Sequence, residues 1–474
     1  MIKSKGAEMM ADKKYKIAII GGGPGGYTAA LRAGQLGAET VLIEKEALGG
    51  TCLNWGCIPT KAFVRSAEVY SDIQNAEDFG IKVEKAELDF PAVVKRKDKI
   101  VTRLVRGIDH LLKKNNVERI DGKASFIDQK TIKVEKDDQI VEIEADNIII
   151  ATGSETLNLA IPGADLEGIL DSRAALDLNE LPDSMIVVGG GIIGMEFAFI
   201  FRNFGVDLTV IEYLDQLVTG VDKEIASELN RSARRRRISV KTSSEVKEIK
   251  KTASGYEVIY QQKGKEKSAE AEKVLMAVGR KPYHQGLNLE NAGVDFAEKR
   301  GSVNINSRME TNVDGIYAVG DVTDKVLLAH VASHQGVIAV DNIMGKNKEM
   351  NYKAVPGAIF TSPEVGIVGL SEEEAEENNI DYKVGTFPFA ASGKVKAMGE
   401  REGMVKIIVE KESEKIIGAA LIGIEASDLI AELTLAVNLG LTAEDLRETI
   451  HAHPTTAEVI HEAALDLADG SLNA

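Results

Sequence analysis

Short apolar runs ended by glycine alternate along the chain with stretches of helical character. Residues 16–20 are largely apolar and lead into a glycine-rich turn at residues 21–26. An Ala-rich helical stretch follows at residues 27–36, and a second apolar run, residues 40–43, ends on Glu44. This order predicts a buried strand, a tight turn, a helix and a second buried strand.

The same four segments return 168 residues further along the chain. The apolar run, glycine turn, helical stretch and second run are residues 185–188, 189–194, 195–203 and 208–211. The second run again ends on an acid, Glu212, which lies 168 residues after Glu44. Two copies in one register predict two βαβ units of the same design.

Each copy carries G-x-G-x-x-G at its turn, the pattern typical of a dinucleotide-binding unit. The first glycine allows the tight turn, the second lets backbone N–H groups approach a pyrophosphate, and the third lets the helix pack on the strand. The helix N-terminus adds partial positive charge for the phosphates, and the acid accepts hydrogen bonds from a ribose diol. The sequence therefore predicts two dinucleotide sites.

The acids also indicate which dinucleotide binds. A pocket for the 2′-phosphate of NADP normally has Arg near this position, whereas Glu212 is followed by Tyr213 and Leu214. A carboxylate there repels a 2′-phosphate, so NAD is favoured over NADP at the second site. Glu44 and Lys45 make the first site equally unsuited to a 2′-phosphate.

The hydrophobic pattern of the rest of the chain changes towards its C-terminus. Apolar runs at residues 147–150, 274–278 and 316–319 each stop at a glycine turn, where the chain can cross between domains. The last hundred or so residues alternate strand-like and amphipathic helical pieces at residues 406–409, 416–421, 428–438 and 456–467. Residues 352–474 are therefore expected to form a separate α+β domain.

Composition and charge narrow the class of protein. The chain has 474 residues, 44% hydrophobic and 28% charged, as expected for a soluble protein of about three domains. Its formal net charge of −17 makes nucleic acid and anionic membranes poor candidates as partners. Residues 1–14 are polar and lack the apolar core of a secretory signal. We therefore expect a cytoplasmic protein with no nucleic-acid or membrane partner.

Cys52 and Cys57, the two cysteines of the chain, lie just beyond the first dinucleotide motif. Gly56 and Pro59 bend the chain around them, so the two sulfurs can close a small disulfide loop. In a reducing compartment such a pair is more often catalytic than structural. A partial metal site and two inert thiols are the alternatives, although zinc lacks nearby histidines to complete its shell. We expect no metal site.

Three further segments, together with the double motif, carry a family resemblance. The stretch GGTCLNWGCIPTKA at residues 49–62, the pair Gly320-Asp321 and the run HAHPTTAE at residues 451–458 resemble motifs of the pyridine nucleotide-disulfide oxidoreductases. The resemblance covers essentially the whole chain. Within this family the chain looks most like the dihydrolipoamide dehydrogenases, the E3 components of 2-oxo acid dehydrogenase and glycine cleavage systems.

The resemblance implies an α/β fold with two Rossmann-like domains, one for FAD and one for NAD, and a C-terminal α+β dimerisation domain. It assigns residues 1–150 to the first part of the FAD domain and residues 151–280 to the NAD domain. Residues 281–350 become the second, central part of the FAD domain, and residues 351–474 the dimerisation domain. It also implies a homodimer whose active site is shared across the interface.

The resemblance further implies which residues contact each cofactor. For FAD they are Gly21, Gly23, Gly25, Gly26, Glu44, Lys45, Gly50, Thr51, Lys61, Ala124, Thr152, Gly153, Ser154, Gly320, Asp321, Ala329 and His330. For NAD they are Gly189, Gly191, Ile192, Ile193, Gly194, Glu196, Glu212, Val246 and Gly279. Ala124 is a mild departure, because the family usually has glycine there, but a contact through the backbone tolerates Ala.

The catalytic residues implied by the resemblance are Cys52, Cys57, Lys61, Glu196, His453 and Glu458. Cys52 is the outer sulfur that a substrate thiolate attacks, and Cys57 is the inner sulfur beside the flavin. Lys61 and Glu196 pair near the flavin. His453 reaches the disulfide of the other subunit and deprotonates the substrate thiol, while Glu458 fixes the tautomer of its ring.

The implied reaction oxidises protein-bound dihydrolipoamide and reduces NAD. A lipoyl-bearing protein and the subunit-binding domain of an E2 component are then the expected partners. An NADH-dependent reductase of another small disulfide and a non-catalytic scaffold subunit remain alternatives. Two segments have no role in this interpretation: the four arginines at residues 234–237, which we expect on a solvated face, and residues 283–285.

Overall fold

The computed structural model describes residues 14–137 and 139–473. Residues 1–13, on which the expectation of a polar N-terminus without a leader mainly rests, lie outside the described residues. Among the helices of the described ranges, none has the length and apolar character that crossing a membrane requires.

Strands and helices succeed one another in the order that the sequence pattern predicts. The strands are β1 (Lys14–Ile20), β2 (Thr40–Glu44), β3 (Glu118–Asp121), β4 (Lys123–Phe126), β5 (Thr131–Lys136), β6 (Gln139–Ile150), β7 (Ser154–Thr156), β8 (Ile169–Leu170), β9 (Ser184–Val188), β10 (Asp207–Ile211), β11 (Ser239–Lys241), β12 (Ser244–Lys251), β13 (Tyr256–Gln262), β14 (Lys265–Ala271), β15 (Lys273–Met276), β16 (Arg280–Pro282), β17 (Ile316–Ala318), β18 (Gly357–Ile359), β19 (Glu364–Gly369), β20 (Tyr382–Pro388), β21 (Met404–Glu410) and β22 (Ile416–Gly423).

The α-helices are α1 (Pro24–Gln35), α2 (Gly50–Trp55), α3 (Cys57–Gln74), α4 (Phe90–Lys114), α5 (Ser172–Leu176), α6 (Ile192–Asn203), α7 (Lys223–Arg235), α8 (Leu289–Ala292), α9 (Ala329–Ile343), α10 (Glu372–Glu377), α11 (Gly393–Ala397), α12 (Ala426–Leu439), α13 (Ala443–Glu448) and α14 (Glu458–Asp466). Short 3₁₀ helices are Ala76–Phe79, Gly320–Thr323 and Phe389–Ala391. The predicted run at residues 147–150 is the end of the longer β6, whose more polar first half pairs with β5 as a hairpin.

The chain divides into two compact units. The first comprises the described part of Met1–Ala62 with Lys95–Leu157 and Gly279–Asn351. Its sheet has a parallel core in the order β3-β2-β1-β6-β17, and β5 and β4 extend the first half of β6 in antiparallel fashion. Parallel strands are covered on both faces, which is why β1 and β2 are nearly continuous apolar runs.

Helix α1 crosses from β1 to β2, and α9 packs along it. Alanines and glycines on α1 are buried, so the two helices approach closely. A Cβ on Gly336 of α9 would lie 2.5 Å from the carbonyl oxygen of Gly25. The hydroxyl of Ser333 donates to the carbonyl of Pro24, and Arg32 binds Asp341 at 2.7 Å. The helices therefore run in the same direction, and both N-termini lie at one end of the sheet.

The second unit comprises Phe63–Val94, Asn158–Val278 and Tyr352–Ala474. It contains a parallel sheet in the order β11-β10-β9-β15-β8, an antiparallel sheet β12-β13-β14 and an antiparallel sheet β18-β19-β22-β21-β20. Helices α12 to α14 accompany the last sheet, as expected for an α+β domain. Two parallel sheets with crossover helices and a C-terminal antiparallel sheet confirm the predicted fold class. The predicted domain boundaries stay predictions.

Three of the four arginines at residues 234–237, at the end of α7, are exposed as expected, but their charges are partly paired instead of only repelling one another. Arg235 and Arg236 each bind Glu402 at 2.9 Å, so two of the four positive charges are paired. Arg237 has φ +62°, the left-handed conformation that glycine usually supplies after a helix, and its N–H donates to the carbonyl of Arg234. Ion pairing thus accompanies a helix end that lacks the usual glycine.

Candidate active site

The turn after β1, the first cradle (residues 21–26), places backbone N–H groups at the N-terminus of α1. Gly21 has φ +108°, and a Cβ there would lie 2.3 Å from the carbonyl oxygen of Ala151. A Cβ on Gly26 would lie 1.8 Å from the carbonyl oxygen of Gly21, so only glycine allows this close packing. A Cβ on Gly23, by contrast, would lie 3.9 Å from its nearest neighbour, the Cα of Gly50. This space fits a pyrophosphate.

The turn after β9, the second cradle (residues 189–194), repeats this geometry. Gly189 has φ +109°, and a Cβ there would lie 2.3 Å from the carbonyl oxygen of Ala277. A Cβ on Gly194 would lie 2.0 Å from the carbonyl oxygen of Gly189, whereas one on Gly191 would have open space for 4 Å. The second cradle therefore fits a pyrophosphate for the same steric reasons as the first.

Glu44 and Glu212 are buried, Glu44 at the end of β2 and Glu212 directly after β10, the second strands of the two βαβ units. Oε2 of Glu44 accepts a hydrogen bond from the N–H of Gly22 at 2.6 Å, and Glu212 accepts the equivalent bond from Gly190. Each carboxylate also accepts a bond at 2.7 Å from the N–H two residues ahead. Both acids are therefore fixed at the edge of a cradle, where a dinucleotide presents its ribose hydroxyls.

Asp321 and Ser154, predicted to serve one cofactor, are hydrogen-bonded to each other. The hydroxyl of Ser154 donates to Oδ2 of Asp321 at 2.6 Å and accepts from Nε of Arg280 at 2.8 Å. Burial raises the pKa of Asp321 above its ordinary value. The N–H of Gly320 donates to the side chain of Gln335 at 2.6 Å. This bond ties the aspartate to α9, whose N-terminus lies on the same side as that of α1.

The two cysteines lie on consecutive short segments beside the first cradle. Cys52 is on α2, Cys57 begins α3, and Gly56 separates the two helices. A Cβ on Gly50, the first residue of α2, would lie 2.7 Å from the Cα of Gly23. The segment that carries the cysteines, which begins at Gly50, therefore contacts the first cradle through its backbone.

Cys52 and Cys57 are not joined by a disulfide, and the two thiols interact with each other. The hydrogen bond with Cys57, followed by burial and the negative charge of Cys57, raises the pKa of Cys52 well above its usual value. The positive charge of Lys61 acts in the opposite direction. Cys52 therefore holds its proton more tightly than an ordinary thiol does.

Lys61 and Glu196 lie on different helices, α3 and α6, and each has its own contacts. Lys61 follows Cys57 by one turn on α3, and its charge acts on the cysteine pair. Glu196 is buried on α6, and its Oε1 accepts a hydrogen bond from the N–H of Phe360 at 3.0 Å. The predicted pairing of Lys61 with Glu196 stays a prediction.

His453 and Glu458 form a hydrogen-bonded pair with 2.8 Å between Nδ1 and Oε1. The other carboxylate oxygen accepts from the N–H of Thr455 at 2.9 Å, which fixes Glu458 at the start of α14. The bond from His453 holds the pKa of Glu458 below its ordinary value. The side chain of His453 is 82% exposed, so Nε2 can accept a proton from a substrate.

The other predicted cofactor residues lie in turns, helix starts and one buried strand. Gly153, Gly279 and Gly320 have positive φ, Ile192 and Ala329 begin α6 and α9, and Ile193 and His330 follow them. Ala124 is buried in β4, Val246 lies at an irregularity of β12, Gly25 is buried against Val319 and Ala332, and Thr51 is exposed on α2. Their contacts with cofactors stay predictions.

Tyr283 and Tyr27 are site residues to which sequence analysis gave no role. The carbonyl of Tyr283 accepts a hydrogen bond from the hydroxyl of Thr152, and Nζ of Lys45 lies 3.8 Å from the centre of its ring. Burial, followed by the negative charge of Cys52, raises the pKa of Tyr27. No sequence pattern indicates the Tyr283 contacts, because Thr152 is 131 positions away.

Comparisons with known proteins support the family resemblance over nearly the whole chain. Residues 15–336 match the family described as pyridine nucleotide-disulphide oxidoreductase, and residues 355–464 match the dimerisation domain of that family. Dihydrolipoyl dehydrogenase of Bacillus subtilis (strain 168) is 41% identical over 451 residues, 95% of this chain and 98% of the relative. Dihydrolipoyl dehydrogenase of Geobacillus stearothermophilus is 40% identical over 447 residues, 94% of each chain.

A solved structure agrees with the fold as well. The Cu(II) complex of the HOCl-induced flavoprotein disulfide reductase RclA from Escherichia coli has a TM-score of 0.86 and 30% sequence identity. The match covers 95% of this chain and 99% of that one. Within residues 14–137 and 139–473, no three His, Cys, Asp or Glu side chains are grouped as ligands for a metal ion.

Proposed function

The chain belongs to the pyridine nucleotide-disulphide oxidoreductase family, and on that premise we propose that it is a dihydrolipoyl dehydrogenase. It oxidises dihydrolipoamide carried by another protein and reduces NAD to NADH. The observation that carries this proposal is the Cys52–Cys57 pair beside the first cradle. Helix α2, which carries Cys52, contacts that cradle through Gly50. The curated relatives at 40% and 41% identity, both dihydrolipoyl dehydrogenases, support the choice of substrate.

FAD occupies the first site and NAD the second. FAD bound at the first cradle would supply the two-electron carrier between the dithiol and NAD. The space above Gly23 and Gly191 supports a pyrophosphate at both sites. The carboxylates of Glu44 and Glu212 support a ribose with a free 2′-hydroxyl, because either acid repels a 2′-phosphate.

The thiol chemistry uses His453 and the cysteine pair. Nε2 of His453 accepts a proton from one substrate thiol, and Glu458 stabilises the imidazolium through Nδ1. The substrate thiolate attacks Sγ of Cys52, the Cys52–Cys57 disulfide breaks, and Cys57 leaves as a thiolate. Cys57 is the better leaving group, because the pKa of Cys52 is the one that the pair raises.

A second displacement completes the exchange. The remaining substrate thiol loses its proton and attacks the substrate sulfur of the mixed disulfide, which releases Cys52. The substrate leaves as a disulfide, oxidised by two electrons, and the enzyme keeps the same two electrons as its dithiol.

The remaining predicted residues and boundaries extend the proposal. Lys61 and Glu196 pair beside the flavin and adjust its potential, and the other predicted contacts line the two cofactors. The FAD domain comprises residues 1–150 and 281–350, the NAD domain residues 151–280, and the dimerisation domain residues 351–474.

The protein works as a homodimer, which the match of residues 355–464 to a dimerisation domain supports. His453 of the partner subunit serves the cysteine pair of the first subunit, so the active site is complete only in the dimer. The lipoyl group comes from another protein, and the subunit-binding domain of an E2 component binds the dimer. A cytoplasmic location fits this function, because in a reducing compartment a cysteine pair is more often catalytic than structural.

The test is anaerobic addition of free dihydrolipoamide to the FAD-loaded protein, followed by NAD. We expect dihydrolipoamide to produce a long-wavelength absorption, from the Cys57 thiolate beside oxidised flavin, and NAD then to yield NADH. Cys57→Ala is the matched control, because it keeps the cradles but cannot form the disulfide. It should reduce a dye with NADH yet fail to oxidise dihydrolipoamide.

Two other outcomes would contradict the proposal. If NADH but not dihydrolipoamide gives the absorption, the relay is present and the substrate is another small disulfide. If neither compound gives it, the cysteine pair has no redox function, and the scaffold alternative is favoured.

A further inference from the structure

A second histidine, His451, lies two residues before His453 and is held very differently. Its side chain is 7% exposed, whereas that of His453 is 82% exposed. Nε2 of His451 lies 2.9 Å from Oε1 of Glu432 on α12, and Nδ1 lies 3.0 Å from the carbonyl oxygen of Thr449. Nε2 therefore connects the segment 449–453 to α12, while Nδ1 holds the ring to the backbone of its own segment.

Both partners of the ring are hydrogen-bond acceptors. A backbone carbonyl only accepts, and a carboxylate only accepts, so each ring nitrogen must donate a proton. A neutral imidazole has one N–H, whereas an imidazolium has two. His451 therefore satisfies both contacts only as the positively charged imidazolium.

We propose that His451 is a positioning residue for the reaction, whose imidazolium fixes segment 449–453 on α12 and sets the charge around the His453–Glu458 pair. The proposal rests on the function proposed above. His451 acts through that pair and touches no reacting atom. Its charge lies near the Glu458 carboxylate, which both histidines share as an electrostatic partner.

The charged groups around His451 agree with this role. The hydrogen bond to Glu432 raises the pKa of His451 above its ordinary value, burial opposes this, and the charge of Glu458 adds to it. The ring of His461 on α14 lies 5.3 Å away, centre to centre. Nδ1 of His461 is buried and has no hydrogen-bond partner among the described residues.

The direction of the pH dependence follows from the raised pKa of His451. A proton that the folded protein binds more tightly stabilises the fold fully below the ordinary pKa of histidine. That contribution is lost as the pH rises through the raised value. The contacts to Glu432 and Thr449 therefore weaken on the alkaline side, and the rate of the thiol reaction falls there.

The charge also acts on the acid side of the profile. The hydrogen bond from His453 and, to a smaller extent, the charge of His451 hold the pKa of Glu458 below its ordinary value. Without the charge on His451, Glu458 gains its proton at a higher pH and no longer stabilises the His453 imidazolium. His451→Gln should therefore move the acid limb of the rate profile to higher pH.

The experiment compares His451→Gln with His451→Lys in the FAD-loaded dimer across a range of pH. Lysine keeps a positive charge and a donor towards Glu432, whereas glutamine keeps only a donor. We expect His451→Gln to slow reduction by dihydrolipoamide on the order of 10- to 100-fold, as misplaced catalytic groups do. His451→Lys should recover most of that rate and keep the acid limb in place. Flavin reduction by NADH, which needs no thiol proton transfer, should be unchanged in both.

Several outcomes would overturn this role. His451→Gln with the rate and profile of the wild type removes any need for the imidazolium. Equal losses in His451→Gln and His451→Lys, or a parallel loss with NADH, indicate a purely structural residue. If His451→Gln does not fold, Glu432→Gln removes the carboxylate partner and should give the same shift of the acid limb.

The same comparison separates this proposal from the proposed substrate. If the wild-type protein does not oxidise dihydrolipoamide, the proposed function fails on that measurement alone. The ratio of variant to wild type is then measured with dithiothreitol as the dithiol. An unchanged ratio and an unmoved acid limb would overturn the role of His451 independently.

Discussion

Gly50 and Gly23 are in backbone contact: a Cβ on Gly50 would lie 2.7 Å from the Cα of Gly23. Gly50 also has φ +54° and begins the helix that carries Cys52. The cysteine pair is therefore placed against the first cradle by main-chain contact, which leaves no room for a side chain. The distance from the redox sulfurs to a dinucleotide in the cradle depends on this contact.

Gly50→Ala should weaken FAD binding, because the new methyl group pushes α2 away from Gly23. Gly37→Ala is the matched control, since Gly37 also has positive φ, +75°, but no atom within 4 Å of the added Cβ. Gly37→Ala should cost only the left-handed strain of about 1–2 kcal/mol in the free energy of unfolding. The FAD-to-protein ratio after purification and urea unfolding measure the two effects. Equal FAD content in the two variants would show that the contact yields without consequence.

Glu458→Gln should slow the thiol half-reaction on the order of 10²-fold, because the neutral amide stabilises the His453 imidazolium poorly. Stopped-flow reduction by dihydrolipoamide measures this, and NADH-driven reduction of a dye should stay at the wild-type rate. The matched control is Glu448→Gln on the exposed end of α13. A loss shared by both variants would point to general charge rather than to the pair.

The same pair predicts a pH dependence on the acid side. The hydrogen bond from His453 lowers the pKa of Glu458, so the carboxylate stays ionised below the pH at which an exposed Glu gains its proton. Its contribution to stability is present above the ordinary pKa of Glu and is lost as the pH falls through the lowered value. Carboxylate titration followed by NMR in wild type and in His453→Gln should show a higher pKa of Glu458 in the variant. Identical titrations would contradict the assigned cause.

The features that the sequence predicts well are those with local steric causes. Gly21 and Gly189 must be glycine because of a positive φ and a neighbouring carbonyl, and these demands repeat at fixed spacing. Glu44 and Glu212 follow the same logic, since each ends a strand that the apolar pattern already defines. Both cradles can therefore be predicted from the sequence, because their glycines are required by local steric contacts and recur at a fixed spacing.

The features that the sequence does not predict depend on contacts between distant segments. Arg236 binds Glu402 across 166 positions, so the run of arginines looked like unpaired surface charge. The carbonyl of Tyr283 meets the hydroxyl of Thr152 because β7 and β16 pair with each other. Hydrophobic periodicity reports which face of an element is buried, but it does not report which polar side chains meet there.

Glu212→Gln should relax the preference for NAD over NADP. The amide oxygen can still accept the hydrogen bond of Gly190, although the NH2 group cannot accept the bond of Leu214, and the charge that repels a 2′-phosphate is removed. We expect the ratio of kcat/KM for NADP to that for NAD to rise about tenfold, the effect of about 1.4 kcal/mol. Glu44→Gln is the matched control at the first cradle, and it should change FAD retention but not this ratio. An unchanged ratio in Glu212→Gln would place the discrimination in other residues.

Cys57→Ala should make Cys52 more reactive as a nucleophile at neutral pH. The largest causes of the raised pKa of Cys52 include its hydrogen bond with Cys57 and the charge of that thiolate. In the variant only burial still raises the pKa, and Lys61 still lowers it, so more Cys52 is thiolate at a given pH. Alkylation of Cys52 by iodoacetamide across a pH series, read by peptide mass spectrometry, should reach half its maximal rate at lower pH than in the reduced wild type. If the two curves coincide, burial controls Cys52, and the order of the two sulfurs in the exchange must be set by access to the substrate instead of by their relative acidity.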